Sequence, residues 1–166
     1  QIHDTLLSMQ DLEYKTFHAK LIPGIDEEQI IGIRIPILRK YSKEIAQNTE
    51  VEDFLTSLPH NYYEENNLHA FVIAQIRDFD KCVEAVNDFL PHINNWATCD
   101  SLRPAVFGKH KDKLLKWIKK WMASNHEDTV RFGIEMLMTH YLDEGFSTEH
   151  LKLVSSIKRD EYYIKM

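Results

Sequence analysis

The helical class of the chain is clearest in residues 110–141, HKDKLLKWIKKWMASNHEDTVRFGIEMLMTHY. The apolar residues of this stretch recur every three or four positions, as at Leu114 and Ile118, and this is the period of a helix buried on one face. A short polar break separates two such stretches, so we predict one helix over residues 110–122 and a second over residues 128–141. The pair is typical of two antiparallel helices joined by a tight turn.

The same periodicity continues along most of the chain, and no segment shows the sustained alternation of a strand. Further helices are predicted over residues 37–46, 51–57, 64–77, 80–90, 96–107 and 148–157. The first 21 residues are predicted to form either a helix pair or one long helix, ended by Pro23-Gly24. Pro104 lies inside the predicted helix 96–107 and should kink it. A last helix is expected to open at Asp160.

The helical pattern repeats. Segments of similar size and character open near Glu64, Asn95, Glu127 and Asp160, a spacing of about 31 to 33 residues that is typical of two-helix solenoid units. We therefore predict an all-α curved solenoid of antiparallel helix pairs with a concave face, forming one domain over residues 1–166. A plain helical bundle is the alternative. Because the last predicted helix has only about two turns, we expect the natural sequence to continue beyond Met166.

The charge distribution is uneven. The net charge of −6 argues against a nucleic-acid partner, because phosphate binding usually leaves a basic footprint. Residues 1–100, however, hold 8 Lys and Arg against 17 Asp and Glu, whereas residues 101–166 hold 12 against 9. An acidic total therefore does not exclude one basic face.

A run of six lysines follows the predicted helix 96–107: Lys109, Lys111, Lys113, Lys116, Lys119 and Lys120. If helix 96–107 lies on the inner face of the solenoid, the next helix is its outer partner. Most of these lysines are then expected to face solvent. Lys109 and His110, which lie in the turn, are the better candidates for phosphate contacts, and Trp117 and Trp121 are expected to lie in the core.

The remaining composition sets limits on the chemistry. Cys82 and Cys99 form no CxxC pair and are expected to be free thiols. The nine His form no HExxH pattern, and no Gly-rich phosphate loop appears, so we expect neither a metal nor a cofactor. There is no signal peptide and no apolar run of about 18 residues, so the expected location is the cytoplasm, without a membrane contact.

One segment combines groups that can do chemistry. Trp96, Asp100 and Arg103 follow one another at i, i+4 and i+7, so the predicted helix presents an indole, a carboxylate and a guanidinium on one face. From the spacing alone, a surface Asp–Arg pair beside a half-buried Trp explains the pattern equally simply.

An ordered set of motifs resembles the DNA alkylation repair family, the AlkD-like glycosylases built from HEAT-like repeats in an ARM-type superhelix. These motifs are FHAKLIP (residues 17–23), GIRIP (32–36), LRK (38–40), Trp96-x-x-x-Asp100 followed by Pro104 and Gly108, and KWMAS (120–124) followed by Arg131. The resemblance runs from Tyr14 to the end of the chain. It implies a repair enzyme that removes purines alkylated at N3 or N7 from double-stranded DNA.

The resemblance also implies roles for individual residues. Asp100 would be the catalytic carboxylate, Trp96 an aromatic wall against the deoxyribose, and Arg131 a contact to a backbone phosphate. Tyr14 and Phe17 are the candidates for a second aromatic wall from the N-terminal helices. A further Trp of the family would follow residues 161–166, after the end of this chain.

Other side chains are candidates for the DNA-facing surface. Arg103, Lys109 and His110 are expected to contact DNA. Glu65 and His69 share a helix face and are candidate residues of the cleft, with a structural histidine as the alternative for His69. Arg34 and Arg39, near Pro36, either reach DNA from the N-terminal end or face solvent.

The expected reaction needs few catalytic groups. An N3- or N7-alkylated purine already carries a positive charge and leaves as a neutral base, so no general acid is required. Ordinary glycoside hydrolysis needs two carboxylates because the leaving group must be protonated. One carboxylate is enough here to stabilise an oxocarbenium-like sugar and to position a water molecule, and a monomer is expected to suffice.

Two other functions stay open at this point. The chain could recognise damaged, bent or branched DNA without cutting it. It could also be a protein-binding helical-repeat scaffold, which the net charge of −6 fits best. Fold alone does not decide among the three, because function belongs to sites.

Overall fold

The computed structural model describes residues 1–143 and 145–166, and over these residues the chain is built from helices and contains no strand. Its α-helices are α1 (Ile2–Ser8), α2 (Leu12–Ala19), α3 (Ile35–Ile45), α4 (Glu50–Thr56), α5 (Tyr63–Ile73), α6 (Phe79–Phe89), α7 (Trp96–Ser101), α8 (Lys111–Met122), α9 (Glu127–Tyr141), α10 (Thr148–Ser155) and α11 (Tyr162–Lys165). Short 3-10 helices span Glu27–Gln29, Leu90–His92 and Ala105–Lys109. The all-α prediction is confirmed, and the N-terminal segment is a helix pair rather than one long helix.

The helices stack in two layers. In the first layer α3 packs on α5, α5 on α7, α7 on α9 and α9 on α11. The second layer contributes α6, which packs on α5, and α8, which packs on α9. This order is that of a helical-repeat solenoid, as predicted.

Contacts between neighbouring repeats join residues one period apart. Thr98 bonds to Asn67 and Asp100 to Arg131, each 31 residues apart, and Arg131 bonds to Tyr163, 32 residues further on. In a solenoid each unit touches only its neighbours, so equivalent positions of adjacent units meet. The period read from the sequence therefore also sets which residues bond across the first layer.

The pair α8–α9 buries the apolar stripe that its sequence predicts. Leu114 and Ile118 of α8 and Phe132 of α9 are fully buried. Trp121 is 3% exposed and lies in the core as predicted, whereas Trp117 is only partly buried and packs against the edge of the same core. The six lysines of residues 109–120 are all exposed.

Gly133 lets α8 and α9 approach closely. A Cβ atom at this position would lie 2.8 Å from Cγ of Met122 and 3.0 Å from its backbone nitrogen. Such distances are shorter than van der Waals contact, so any larger residue must push the two helices apart.

A buried carboxylate fixes the loop before α3. Glu64, with no exposed surface, accepts hydrogen bonds from the backbone N–H groups of Ile31 and Gly32 at 2.8 Å each and of Ile33 at 3.2 Å. Gly32 has φ +95°, and a Cβ atom there would lie 2.6 Å from the carbonyl oxygen of Asp11. Only glycine fits this turn, which explains the GIRIP motif in physical terms.

The prediction of one kinked helix over residues 96–107 is wrong. Helix α7 ends at Ser101, Leu102 is extended with ψ 93°, and a separate 3-10 helix begins at Ala105. Arg103 precedes Pro104, and a residue before proline is disfavoured in the helical conformation. Pro104 therefore ends the helix, and Arg103 is not carried on its face.

The described residues include no helix with the length and apolar character needed to cross a bilayer.

Replacing Gly133 by alanine should destabilise the protein by about 1–2 kcal/mol, because the clash with Met122 outweighs the higher helix propensity of alanine. Urea unfolding measures this change. Gly108→Ala is the matched control, since its Cβ would meet only the His140 ring at 3.6 Å. Equal free energies of unfolding for Gly133→Ala and the wild type would contradict the close packing of α8 on α9.

Candidate active site

Helix α7 is held between its neighbours by buried polar contacts. Asn95 caps the helix by accepting from the N–H of Thr98 at 2.8 Å, and the Thr98 hydroxyl donates to Oδ1 of Asn67 on α5 at 2.8 Å. On the other side the thiol of Cys99 donates to the carbonyl of Asp128 on α9 at 3.3 Å. These bonds fix the rotation of α7 and therefore the direction in which Asp100 points.

Asp100 and Arg131 form a bidentate ion pair. Nε of Arg131 donates to Oδ1 at 2.7 Å and Nη2 donates to Oδ2 at 2.8 Å, while Nη1 donates to the carbonyl of Tyr163 at 2.9 Å. The Asp100 side chain stays 27% exposed, but that of Arg131 is only 10% exposed. The predicted phosphate contact of Arg131 does not fit this position, since the guanidinium points at Asp100 and α11.

Glu135 adds a second carboxyl group one helical turn after Arg131. Its Oε1 lies 3.6 Å from Nη2 of Arg131. Burial, reinforced by a hydrogen bond with Asp100 and by the charge of Asp100, raises the pKa of Glu135 to about 8. At neutral pH Glu135 therefore carries a proton and can donate it in a hydrogen bond to Asp100.

The charge state of Asp100 follows from these neighbours. Burial opposes its ionisation, but the hydrogen bonds from Arg131 and Glu135 hold the pKa of Asp100 below its ordinary value. Asp100 is therefore ionised and Glu135 neutral at pH 7. Asp128, close by in α9, is buried, and this burial with the charge of Glu127 raises its pKa to about 6.

Cys99, Asp100 and Glu135 form a cluster of possible metal ligands. Sγ of Cys99 and carboxyl oxygens of Asp100 and Glu135 lie within 4.8 Å of one another. A cation among them would face the Arg131 guanidinium, and burial raises the pKa of the Cys99 thiol well above its ordinary value. Positive charge and a protonated thiol both oppose metal binding here.

Trp96 and Arg103 lie on either side of Asp100. Trp96 is half-buried and precedes Asp100 by one turn of α7, as predicted. Arg103 is exposed, and its Nε donates to the backbone carbonyl of Asp100 at 2.9 Å rather than to the carboxylate. The indole and carboxylate therefore share a helix. The prediction that Arg103 lies on the same helix face is wrong, because α7 ends at Ser101.

The two N-terminal aromatic candidates differ in their surroundings. Tyr14 stacks on His18 with ring centroids 5.0 Å apart, and His18 Nε2 lies 3.2 Å from the Tyr63 hydroxyl. Tyr63 belongs to a small apolar cluster against which Ala97 of α7 packs. Tyr14 is thus connected to α7 through α5, whereas Phe17 is 60% exposed.

Glu65 and His69, the candidate residues of the cleft, make their contacts within the fold. Glu65 accepts from the N–H groups of Asn61 and Tyr62 at the start of α5 and bonds to His3. His69 is 2% exposed and stacks on Phe89 at 4.0 Å, and burial lowers its pKa to about 3. Both residues stabilise the fold, as the structural alternative for His69 proposed.

Lys109 and His110 mark the turn before α8. Lys109 is exposed at the end of the 3-10 helix, and His110 is half-buried with its ring 5.2 Å from that of Phe79. Neither residue contacts the Asp100 cluster through a side-chain hydrogen bond within the described part of the chain.

A cavity of about 550 Å³ opens beside the ion pair, between α9, α10 and α11. Arg131, Glu135 and Arg103 supply its polar wall, and apolar side chains such as Met138 and Ile164 supply much of the rest. The cluster is therefore reachable from this side as well as from the exposed edge of Asp100.

Two groups around Asp100, Glu135 and the Tyr163 carbonyl, were not predicted from the sequence. Glu135 lies four residues after Arg131, a spacing that puts both on one helix face, so the signal was available. The carbonyl of Tyr163 carried no signal, because a backbone acceptor has no side-chain signature.

The chain matches the sequence profile of the DNA alkylation repair enzyme family over residues 2–161. It therefore belongs to this family, and membership supports a role in DNA repair with DNA as the partner. No curated protein and no solved structure is similar enough to the chain to count as a match.

Replacing Glu135 by glutamine should change how stability depends on pH. In the wild type the folded state keeps the Glu135 proton up to about pH 8, whereas the unfolded chain loses it near the ordinary glutamate pKa of 4.5. The folded state thus binds the extra proton, so the free energy of unfolding of the wild type falls as pH rises across this interval. The stability of Glu135→Gln relative to wild type should therefore increase from pH 5 to about pH 8.5.

Urea unfolding at several pH values measures this difference. Glu84→Gln, at an exposed position of α6, is the matched control and should give a difference that does not vary with pH. A pH-independent difference for Glu135→Gln as well would show that Glu135 is ionised at neutral pH.

Proposed function

We propose that the protein is a DNA glycosylase that hydrolyses the N-glycosidic bond of cationic N3- or N7-alkylated purines in duplex DNA. The observation that carries the proposal is an ionised, partly exposed carboxylate, Asp100, held in one orientation on the first layer of a DNA repair protein. A carboxylate buried in the core or turned to the second layer would not serve this purpose.

Asp100 acts on the sugar rather than on the base. The bond between C1′ and the base nitrogen breaks, its electron pair neutralises the cationic base, and positive charge develops on the sugar. The ionised Asp100 stabilises that charge and accepts a hydrogen bond from the attacking water, whose oxygen bonds to C1′ and whose proton is lost through the carboxylate. Trp96, one turn away, offers an aromatic face worth roughly 1–2 kcal/mol against a cationic sugar.

Arg131 has two opposite effects on this chemistry. It keeps Asp100 ionised and fixes both carboxylate oxygens, which removes the cost of orienting them during the reaction. Its positive charge also offsets part of the field that the sugar would feel. Alkylated purines are a substrate class that tolerates this weakened field, since their bond to the sugar is already labile.

DNA contacts are proposed for Arg103, Lys109 and His110, which surround the end of α7 and the following turn. Arg103 is exposed, and its Nε is already bonded to the Asp100 carbonyl, which brings a cation next to the carboxylate. Tyr14 is the candidate for an aromatic wall on the α2 side.

One observation favours a second function, binding of damaged or bent DNA without base release. Both oxygens of Asp100 already accept from Arg131, so the carboxylate is partly compensated before any substrate arrives. A binding protein would use the same surface but would not depend on the charge of Asp100.

Asp100→Asn should reduce the single-turnover release of 7-methylguanine from duplex DNA by about 100-fold, because the charge that stabilises the sugar is removed. The amide keeps an oxygen for Arg131, so binding to unmodified duplex should change little. Base release and the dissociation constant are measured on the same preparations, and thermal unfolding checks that the variant is folded.

Asp112→Asn, the same substitution at an exposed position of α8, is the matched control and should release base at the wild-type rate. If the wild type binds the methylated duplex but releases no base, the protein is a binder and the glycosylase proposal fails. Trp96→Ala provides an independent variant should Asp100→Asn not fold, and it should also slow release without abolishing binding.

A further inference from the structure

A second cavity lies beside the candidate active site, between α3, α5 and the end of α7. It measures about 240 Å³, and its lining includes Arg39, Lys43, Phe71, Gln75, Ser101 and Arg103. Ser101 follows Asp100 directly in α7, so this cleft and the ion pair share an edge. We refer to it as the basic cleft.

The three cations of the basic cleft lack acidic partners. Within the described residues, no carboxylate oxygen lies within 4.0 Å of a side-chain nitrogen of Arg39, Lys43 or Arg103. Arg34 and Lys40, from the same part of the chain, do have them, in Asp11 and Glu44. In a chain of net charge −6, three cations without a described salt-bridge partner around one concavity make the local potential more positive than that of the surrounding surface.

Two of the cations are oriented by the fold. The guanidinium carbon of Arg39 lies 4.3 Å from the centroid of the Phe71 ring, a cation–π contact that holds the guanidinium against α5. Arg103 is tethered through Nε to the carbonyl of Asp100 at 2.9 Å, and its Nη1 donates to the Thr139 hydroxyl on α9 at 3.4 Å, which leaves Nη2 without a side-chain hydrogen bond among the residues that the structure describes. Each guanidinium retains terminal N–H groups for a further acceptor, and their planar donors match the oxygens of a phosphate.

We propose that the basic cleft binds a backbone phosphate of the DNA duplex whose altered nucleotide faces Asp100. The inference rests on the proposed function in that it needs duplex DNA to lie across the first layer at Asp100. It reassigns the phosphate contact expected of Arg131 to Arg39, Lys43 and Arg103. Ser101 adds a hydroxyl at the edge of the cleft next to Asp100.

The lysines of α8 are the competing surface. They are more numerous, but α8 belongs to the second layer, whereas Arg39, Lys43 and Arg103 flank first-layer helices. Duplex DNA that contacts Asp100 cannot at the same time be held by the exposed side of α8. The two surfaces therefore make opposite predictions for matched pairs of substitutions.

The test compares Arg39→Gln/Lys43→Gln with Lys116→Gln/Lys119→Gln, which remove the same formal charge from the second layer. Fluorescence anisotropy with an unmodified duplex of roughly 20 base pairs gives Kd at salt concentrations between about 50 and 200 mM. The α3 pair should raise Kd on the order of tenfold and reduce the slope of log Kd against log salt by about 1, because a single phosphate loses its contact. The α8 pair should change Kd by less than about twofold.

Equal effects of the two pairs, or a larger effect of the α8 pair, would overturn the basic cleft. Release of 7-methylguanine by the wild type is measured in parallel and separates this inference from the proposed function. Binding that depends on Arg39 and Lys43 without base release would support the cleft and reject the glycosylase. Base release by the wild type, together with an unchanged salt slope in the α3 variant, would support the glycosylase and reject the basic cleft.

Discussion

The bidentate bond between Arg131 and Asp100 is the interaction on which both the fold and the candidate site depend. It joins α7 to α9, and through the Tyr163 carbonyl the same guanidinium reaches α11, so one side chain links three successive helices of the first layer. Removing either partner would leave a charge in a largely buried place, which costs several kcal/mol. The residue that positions the Asp100 carboxylate is therefore also part of what holds the solenoid together.

This double role shapes the chemistry that the site can support. Asp100 stays ionised because Arg131 donates to both of its oxygens, yet the same donor reduces the charge it presents to a ligand. Glu135 adds no second negative charge, because burial and the charge of Asp100 hold its proton in place. A site of this kind suits a substrate that already carries most of the driving force for bond breaking, which is the property of a cationic alkylated purine. The family to which the chain belongs fits this argument.

The helix pairs could be predicted from apolar periodicity, since residues such as Leu114, Ile118 and Phe132 had to be buried on one face. Asp100 and Trp96 could be singled out because their spacing places them on one helix. The end of α7 at Ser101 is not visible in the apolar periodicity, which predicts a helix up to Phe107 with only a kink at Pro104. Sequence spacing pairs Asp100 with Arg103, which is near in sequence. The partner in the structure is Arg131, which is one repeat period away and meets Asp100 only when the repeats stack. The basic cleft likewise lies between α3, α5 and α7, so no local sequence pattern predicts it.

The most direct test of the account is a crystal structure of the protein with duplex DNA that carries an alkylated purine resistant to hydrolysis. A carboxylate oxygen of Asp100 should lie within about 4 Å of C1′ of the altered nucleotide, a distance at which opposite charges interact strongly. Arg131 should still hold the carboxylate from the protein side. A duplex bound along α8, or an altered nucleotide remote from Asp100, would contradict it.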